Sequence, residues 1–141
     1  MRDMMLRKRR DCELFRAYQK ALKENDFSDQ REAVDYVRKH EAPRWFVSKE
    51  FCAAVISCWL RGKDFCKMRA NKLRKFRALY DLYLQMRKEF PYCAFNHLDL
   101  CGVIVETPAP EWFIDHQQAS RIITAQINLR NEQIANRYGR A

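Results

Sequence analysis

The sequence predicts an all-α protein made of two tandem trihelical repeats joined by a basic helical linker. Three observations predict it. Glycine occurs three times and proline four times in 141 residues, and so few turn-forming residues favour long helices over short strands. Apolar residues recur three and four positions apart, which places them on one helix face. One short aromatic pattern also occurs twice.

The repeated pattern is Ala-Pro-x-Trp-Phe, found at residues 42–46 and again at residues 109–113. The apolar positions that flank it agree at the same offset of 67, and an earlier segment agrees at an offset of 65, where Leu14 matches Leu79 and Tyr18 matches Tyr83. Self-similarity of this length indicates a duplication. The predicted segments are a basic N-terminal arm (1–10), a first repeat (11–60), a basic linker that merges into the next helix (61–77), a second repeat (78–130) and a C-terminal tail (131–141).

The first helix of each repeat is predicted from one apolar stripe, which runs from Leu14 to Leu22 and from Phe76 to Met86. The second helix is predicted to start at Ser28 and at Asn96, whose side chains suit the N-cap position. It should end near residues 39 and 106, because the proline that follows disfavours helical backbone in the residue before it. The tail is expected to continue the last helix through Ile134.

The third helix of each repeat is predicted to begin at Ser48 and at Asp115, which are N-cap residues. We interpret the aromatic pair before each cap as a core plug where the third helix meets the first, because aromatics at such junctions supply buried area. A base-stacking or cofactor-binding role is the alternative. The predicted structural residues are Pro43, Trp45, Phe46, Ser48, Pro110, Trp112, Phe113 and Asp115.

The net charge of +9 is concentrated in two short segments. Residues 1–10 hold five basic side chains and one acidic one, and residues 61–77 hold eight basic side chains and one acidic one. A run of this kind can be a solvated helix face. Uncompensated positive charge also suits an anionic partner, and phosphate backbones are the commonest one. The predicted phosphate-contacting residues are Arg7, Lys8, Arg9, Arg10, Arg61, Lys63, Lys67, Arg69, Lys72, Arg74, Lys75 and Arg77.

A short second helix, a turn and a capped third helix over residues 28–60 and 96–127 resemble a helix-turn-helix or homeodomain-like trihelical unit. The segment from Lys39 to Val47 is longer than the usual turn of that family and lacks its frequent glycine. The resemblance implies that a third helix enters the major groove. The polar face of the last helix then offers candidate base contacts, although such a face can also be merely solvated. These residues are Gln117, Ser120, Arg121, Thr124 and Asn128.

Other chemistries find little support in the sequence. Cys93, His97 and Cys101 are four residues apart, but a zinc site needs a fourth ligand, and the usual cysteine spacing is absent. We interpret the six cysteines as small buried residues and the three histidines as solvated helix-end residues. There is no phosphate-binding glycine loop and no nucleophile elbow. No metal, no cofactor and no enzymatic activity are therefore predicted.

The sequence thus favours a nucleic-acid binding protein, with DNA the favoured target, in which the repeats form the scaffold and the basic linker contacts phosphates. The alternative is a protein-interaction adaptor that docks an acidic partner. An anionic membrane surface is a weaker third option, because the aromatics are better explained as core. The charged N-terminus is unlike a signal peptide, and we expect a cytoplasmic protein with no membrane-spanning segment.

Overall fold

The computed structural model describes residues 2–138, with side chains from residue 4 onward, and it confirms the all-α prediction. No strand forms within this range; two residues, Ala42 and Ala109, make one isolated antiparallel bridge. The described helices are α1 (Arg2–Glu24), α2 (Gln30–Lys39), α3 (Lys49–Leu60), α4 (Ala70–Glu89), α5 (His97–Val105) and α6 (His116–Tyr138). None of them is long and apolar enough to cross a lipid bilayer.

The helices pack in two groups that do not follow chain order. Helix α1 packs against α2 and α6, and α2 also packs against α6. Helix α3 packs against α4 and α5, and α4 also packs against α5. Among the described residues, α3 makes no backbone contact with α1 or α2, and α6 makes none with α4 or α5. The expectation that each third helix meets the first helix before it is wrong, because the third helices are exchanged between the two halves of the chain.

The exchange occurs where the two Ala-Pro-x-Trp-Phe segments pass each other. Ala42 and Ala109 exchange both of their backbone hydrogen bonds, each 2.9 Å long. The Trp45 ring then stacks on Phe113 at 5.7 Å, and the Phe46 ring stacks on Trp112 at 5.5 Å. Each aromatic pair therefore packs on the other copy of its own pattern.

The two phenylalanines of the pattern turn the chain sharply into the third helices. Phe46 has φ +53° and Phe113 has φ +57°, and no other non-glycine residue in the described part has positive φ. Left-handed backbone costs an L-residue roughly 1–2 kcal/mol. We attribute its stability here to the ring stacking and burial that hold both residues, since Phe113 is buried and Phe46 is half-buried.

The basic segments differ from their predicted conformations. The predicted N-terminal arm is part of a helix from Arg2 onward, because it contains good helix formers and no breaker. The predicted helical linker is not helical over residues 61–69. Gly62, at φ +73°, ends α3, and the amides of Gly62 and Lys63 donate to Trp59 and Cys58. This bonding is a Schellman motif, which reverses the chain after a helix.

Four helix starts have side-chain caps. Ser48, Asn96 and Asp115 accept hydrogen bonds from first-turn amides, as their sequence positions predict. The cap of α2 is Asp29 rather than the predicted Ser28, because the Asp29 carboxylate reaches the Glu32 amide at 2.9 Å. Ser28 lies one residue earlier, and its backbone amide and hydroxyl both donate to the Glu32 carboxylate. The last helix continues past Ile134 to Tyr138.

Candidate nucleic-acid interface

A cavity of about 590 Å³ opens beside the crossing of the two aromatic segments. Its wall combines the N-terminal part of α1 with the beginnings of three other helices, α3, α4 and α6. Trp45, Phe46, Trp112 and Phe113 line it, so the aromatic crossing forms part of its surface. The exchange of third helices is therefore what brings these four helix ends together.

Six basic side chains line this cavity, which we call the basic cavity. Two come from the predicted N-terminal cluster, three come from the predicted linker segment, and one was not predicted. They are Arg7, Arg10, Arg44, Arg69, Lys72 and Lys75. The two basic segments are separated by some fifty residues of chain, and the fold brings part of each to one place.

Four of these cations occupy equivalent positions of α1 and α4. Arg7 and Lys72 are 65 residues apart, and so are Arg10 and Lys75, which is the offset that relates Leu14 to Leu79. Both pairs line the basic cavity, so α1 and α4 each contribute two cations to it. The sequence could have predicted this arrangement, because an offset of 65 residues relates both pairs of cations.

Most of these cations have no carboxylate partner. Arg44 pairs with Glu106 at 2.8 Å and Arg10 pairs with Asp11 at 3.1 Å. The other four make no ion pair with any carboxylate of residues 4–138; they are Arg7, Arg69, Lys72 and Lys75. The Lys72 ammonium instead lies 4.9 Å from the centre of the Phe51 ring. The cavity therefore has positive charge that the described protein does not neutralise.

Lys75 shows the effect of this crowding most clearly. Burial lowers the pKa of Lys75 to about 8, and the nearby charges of Arg10 and Lys72 act in the same direction. A bound anion would reverse the electrostatic part of this shift, because an opposite charge favours the protonated amine. A perturbed lysine in a cavity is a common property of ligand sites.

Two carboxylates also line the basic cavity, and each has a local role. Glu111 accepts a hydrogen bond from Arg74 at 2.8 Å. Asp115 caps α6 by accepting from the Gln118 amide at 2.7 Å. Six cations against two carboxylates leave the lining positive. Arg74, which was predicted to contact phosphate, is thus engaged in an ion pair within the protein.

The start of α4 differs from the capped helix starts. Its N-cap residue is Arg69, which makes no side-chain cap hydrogen bond, and its first turn has no acidic residue. Amides at the first turn of a helix need acceptors and favour negative charge. Arg69, Ala70, Asn71 and Lys72 all line the basic cavity, so these amides add to the attraction for an anion there.

The remaining predicted basic residues lie outside the cavity lining. Lys8 and Arg9 are exposed on α1, Arg77 is exposed on α4, and Arg61, Lys63 and Lys67 are exposed in the segment between α3 and α4. The predicted base-contacting residues Gln117, Arg121, Thr124 and Asn128 form an exposed stripe along α6, with the half-buried Ser120 beside it. Helix α6 reaches the cavity through its first turn alone, so this stripe and the cavity are separate surfaces.

The predicted structural residues lie at the crossing. Trp45, Trp112 and Phe113 are buried, Phe46 and Ser48 are half-buried, and Pro43, Pro110 and Asp115 are exposed. The Trp45 indole donates to the Thr107 hydroxyl at 3.2 Å. The Trp112 indole nitrogen is buried with no partner.

His97 is not a solvated residue, contrary to the sequence-based expectation. Its Nδ1 lies 2.9 Å from the Tyr83 hydroxyl, and its Nε2 lies 2.7 Å from the Ala53 carbonyl oxygen. Because the carbonyl only accepts, Nε2–H donates to it and the Tyr83 hydroxyl donates to Nδ1. Burial raises the pKa of Tyr83, which keeps that hydroxyl protonated. His97 therefore links α5 to α3 and α4.

His116 also has a partner, because its Nδ1 lies 2.8 Å from the Asp35 carboxylate on α2. The expectation of buried cysteines holds for Cys52 and Cys101, whereas Cys12, Cys66 and Cys93 are exposed. Within the described chain, no three histidine, cysteine or acidic side chains are grouped to hold a metal ion.

Comparison with protein-family models, with curated proteins and with solved structures finds no match to this chain.

Proposed function

We propose that this chain is a nucleic-acid binding protein, with DNA the favoured target, in which the basic cavity contacts phosphates. In the proposed architecture, two trihelical repeats exchange their third helices and form one scaffold around the cavity. The observation that carries the proposal is the convergence of two distant basic segments on one cavity. Arg7, Lys72 and Lys75 line it without an ion-pairing carboxylate among residues 4–138.

Physical chemistry supports a phosphate ligand over an acidic side chain. Arginine forks and lysine ammonium groups together suit an oxygen-rich anion that accepts several hydrogen bonds at once. Helix-start amides, such as those of α4, are frequent phosphate contacts. Aromatic residues beside a basic groove are also typical of sites where bases stack, and Phe46 and Phe51 line this cavity while remaining only half-buried.

The proposal is tested by fluorescence anisotropy with labelled duplex DNA, single-stranded DNA and RNA over a series of salt concentrations. If the four unpaired cations each contact one phosphate, affinity for a single strand should fall about fiftyfold between about 50 and 200 mM salt. A polyglutamate competitor represents an acidic protein partner. Displacement of the oligonucleotide by polyglutamate at equal charge concentration, or binding that does not change with salt, would favour the adaptor alternative and contradict the proposal.

A further inference from the structure

The shape of the basic cavity restricts what part of a nucleic acid can enter it. Its volume of about 590 Å³ lies within the range of small-ligand pockets, roughly 300–1,000 Å³. A duplex is too wide to enter a pocket of this size, because its major groove alone is about 12 Å wide. One or two nucleotides at the end of a strand can enter.

The charge of the cavity exceeds what one internal phosphodiester requires. An internal phosphodiester carries a single negative charge, whereas a phosphomonoester carries about −1.5 to −2 at neutral pH and has three free oxygens. The equivalent positions of α1 and α4 supply cations in two pairs, Arg7 with Lys72 and Arg10 with Lys75. The uncapped first turn of α4 lies in the same wall.

We propose that the basic cavity captures the terminal phosphomonoester of a nucleic-acid strand, a claim that rests on the proposed nucleic-acid function and narrows it. Lys75 and Lys72 act as point charges toward the phosphate oxygens. Arg7 presents a planar fork that can bind two oxygens at once, whereas Arg10, whose Nε and Nη2 donate to Asp11, adds positive charge beside it. The half-buried rings of Phe46 and Phe51 lie in the same lining, where the terminal base can stack on an aromatic face.

The test uses one single-stranded oligonucleotide of about twelve nucleotides in three forms: with a 5′-phosphate, with a 3′-phosphate, and with hydroxyls at both ends. The protein is titrated with each form at low salt. We expect at least one phosphorylated form to bind about tenfold more tightly than the hydroxyl form, because the added oxygens reach charged donors. Preference for either phosphorylated end supports the proposal and identifies which end is bound.

Two double variants make the result specific to the cavity. Lys72→Gln with Lys75→Gln removes two cavity cations, and we expect the preference for the phosphorylated end to disappear. Lys23→Gln with Lys88→Gln removes the same charge at equivalent positions of α1 and α4, but neither residue lines the cavity. The preference should remain in this control. If Lys72→Gln with Lys75→Gln leaves the preference intact, the proposal is overturned.

Competition separates a strand end from free phosphate. Inorganic phosphate and a nucleoside monophosphate are added to the complex with the phosphorylated oligonucleotide. We expect both to compete only at much higher concentration than the oligonucleotide; equal potency of inorganic phosphate would overturn the proposal. Equal affinity for phosphorylated and hydroxyl strands would overturn it while leaving nucleic-acid binding intact. No binding to any oligonucleotide would overturn both.

Discussion

Ala42 and Ala109 are hydrogen-bonded to each other in both directions, at 2.9 Å each. Two neighbouring backbone hydrogen bonds are also equivalent: the Trp45 amide donates to the Val105 carbonyl oxygen, and the Trp112 amide donates to the Arg38 carbonyl oxygen. Donors and acceptors in these two bonds are each 67 residues apart. The backbone at the crossing therefore has the same hydrogen bonds in both halves, and the halves differ in their side chains.

One such difference concerns the two indole groups. The Trp45 indole donates to the Thr107 hydroxyl. The residue equivalent to Thr107 in the other half is His40, and its Nδ1 lies 2.5 Å from the Tyr36 carbonyl oxygen. The Trp112 nitrogen is left without a partner. We therefore expect Trp45→Phe to reduce the free energy of unfolding by about 1 kcal/mol more than Trp112→Phe, because only the first change removes a hydrogen bond. Urea denaturation measures both, and equal losses would contradict this account.

Replacing glycine by alanine at two positions gives a second prediction, because the change in the free energy of unfolding should have opposite signs at Gly102 and Gly62. Gly102 lies inside α5, and a methyl group there would approach the exposed Lys49 side chain at 3.3 Å, which can move aside. Gly102→Ala should raise the free energy of unfolding by about 0.5–1 kcal/mol, because glycine is unfavourable in a helix. Gly62→Ala should lower it by about 1 kcal/mol, because Gly62 has φ +73°. A decrease for Gly102→Ala in chemical denaturation would show that Lys49 is held in place.

The hydrogen bonds of His97 give a third prediction. Tyr83 accepts from Arg87 at 2.9 Å and donates to His97, whereas no hydrogen bond is formed by the hydroxyl of its counterpart Tyr18 within the described chain. Tyr83→Phe should therefore reduce the free energy of unfolding by about 1–3 kcal/mol more than Tyr18→Phe, since it leaves polar partners unsatisfied. Thermal and urea unfolding of the two variants provide the comparison. Similar losses would mean that the network contributes little.

Lys75 gives a prediction about pH. Burial lowers its pKa to about 8 from an ordinary value near 10.5, so between these pH values the unfolded chain binds more protons and stability rises with pH. The full destabilisation is present below about pH 8 and is gone above about pH 10.5. The ionisable groups that face Lys75 or share its cavity are Arg7 and Arg10 on α1, Arg44, Arg69, Lys72 on α4, the Cys52 thiol on α3, and the carboxylates Glu111 and Asp115.

Lys75→Met keeps the apolar stem and removes the charge. At pH 7 it should increase the free energy of unfolding by about 1–3 kcal/mol, while weakening anion binding. The gain should shrink as the pH rises from about 8 toward about 10.5, because Lys75 of the folded wild type then loses its proton and no longer buries a charge. Denaturation curves at neutral and alkaline pH measure this difference. A constant difference across that range would mean that the Lys75 charge is not what destabilises the free protein.

Local signals in the sequence predicted the local structure well. Ser48, Asn96 and Asp115 cap the helices they were expected to cap, because N-cap preference depends on the residue and its immediate neighbours. The cap of α2 was misplaced by one residue, since Ser28 and Asp29 are both good cap residues and only geometry decides between them. Gly62 carried a helix-stop signal that the interpretation of a continuous helical linker overlooked.

The exchange of third helices could not be predicted from those signals. Ala119 and Ile123 on α6 have apolar counterparts, Cys52 and Ile56, on α3, so either third helix presents a similar stripe to either half. Whether a third helix packs on its own half or on the other half depends on the path of the connecting segment. That path is fixed by the Ala42–Ala109 bridge and by the positive φ of Phe46 and Phe113. The basic cavity follows from the exchange, so its full lining was also out of reach, including Arg44.

The salt dependence of binding by matched charge variants shows whether the cations of the basic cavity contact phosphates. The plot of log affinity against log salt concentration is measured for single-stranded DNA with the wild type, with Lys72→Gln and Lys75→Gln together, and with Lys23→Gln and Lys88→Gln together. The first pair should lower the magnitude of the slope by about 1.4, as expected for two lost phosphate contacts, and the second pair should leave it nearly unchanged. Equal slopes for the two double variants would contradict the basic cavity as the nucleic-acid site.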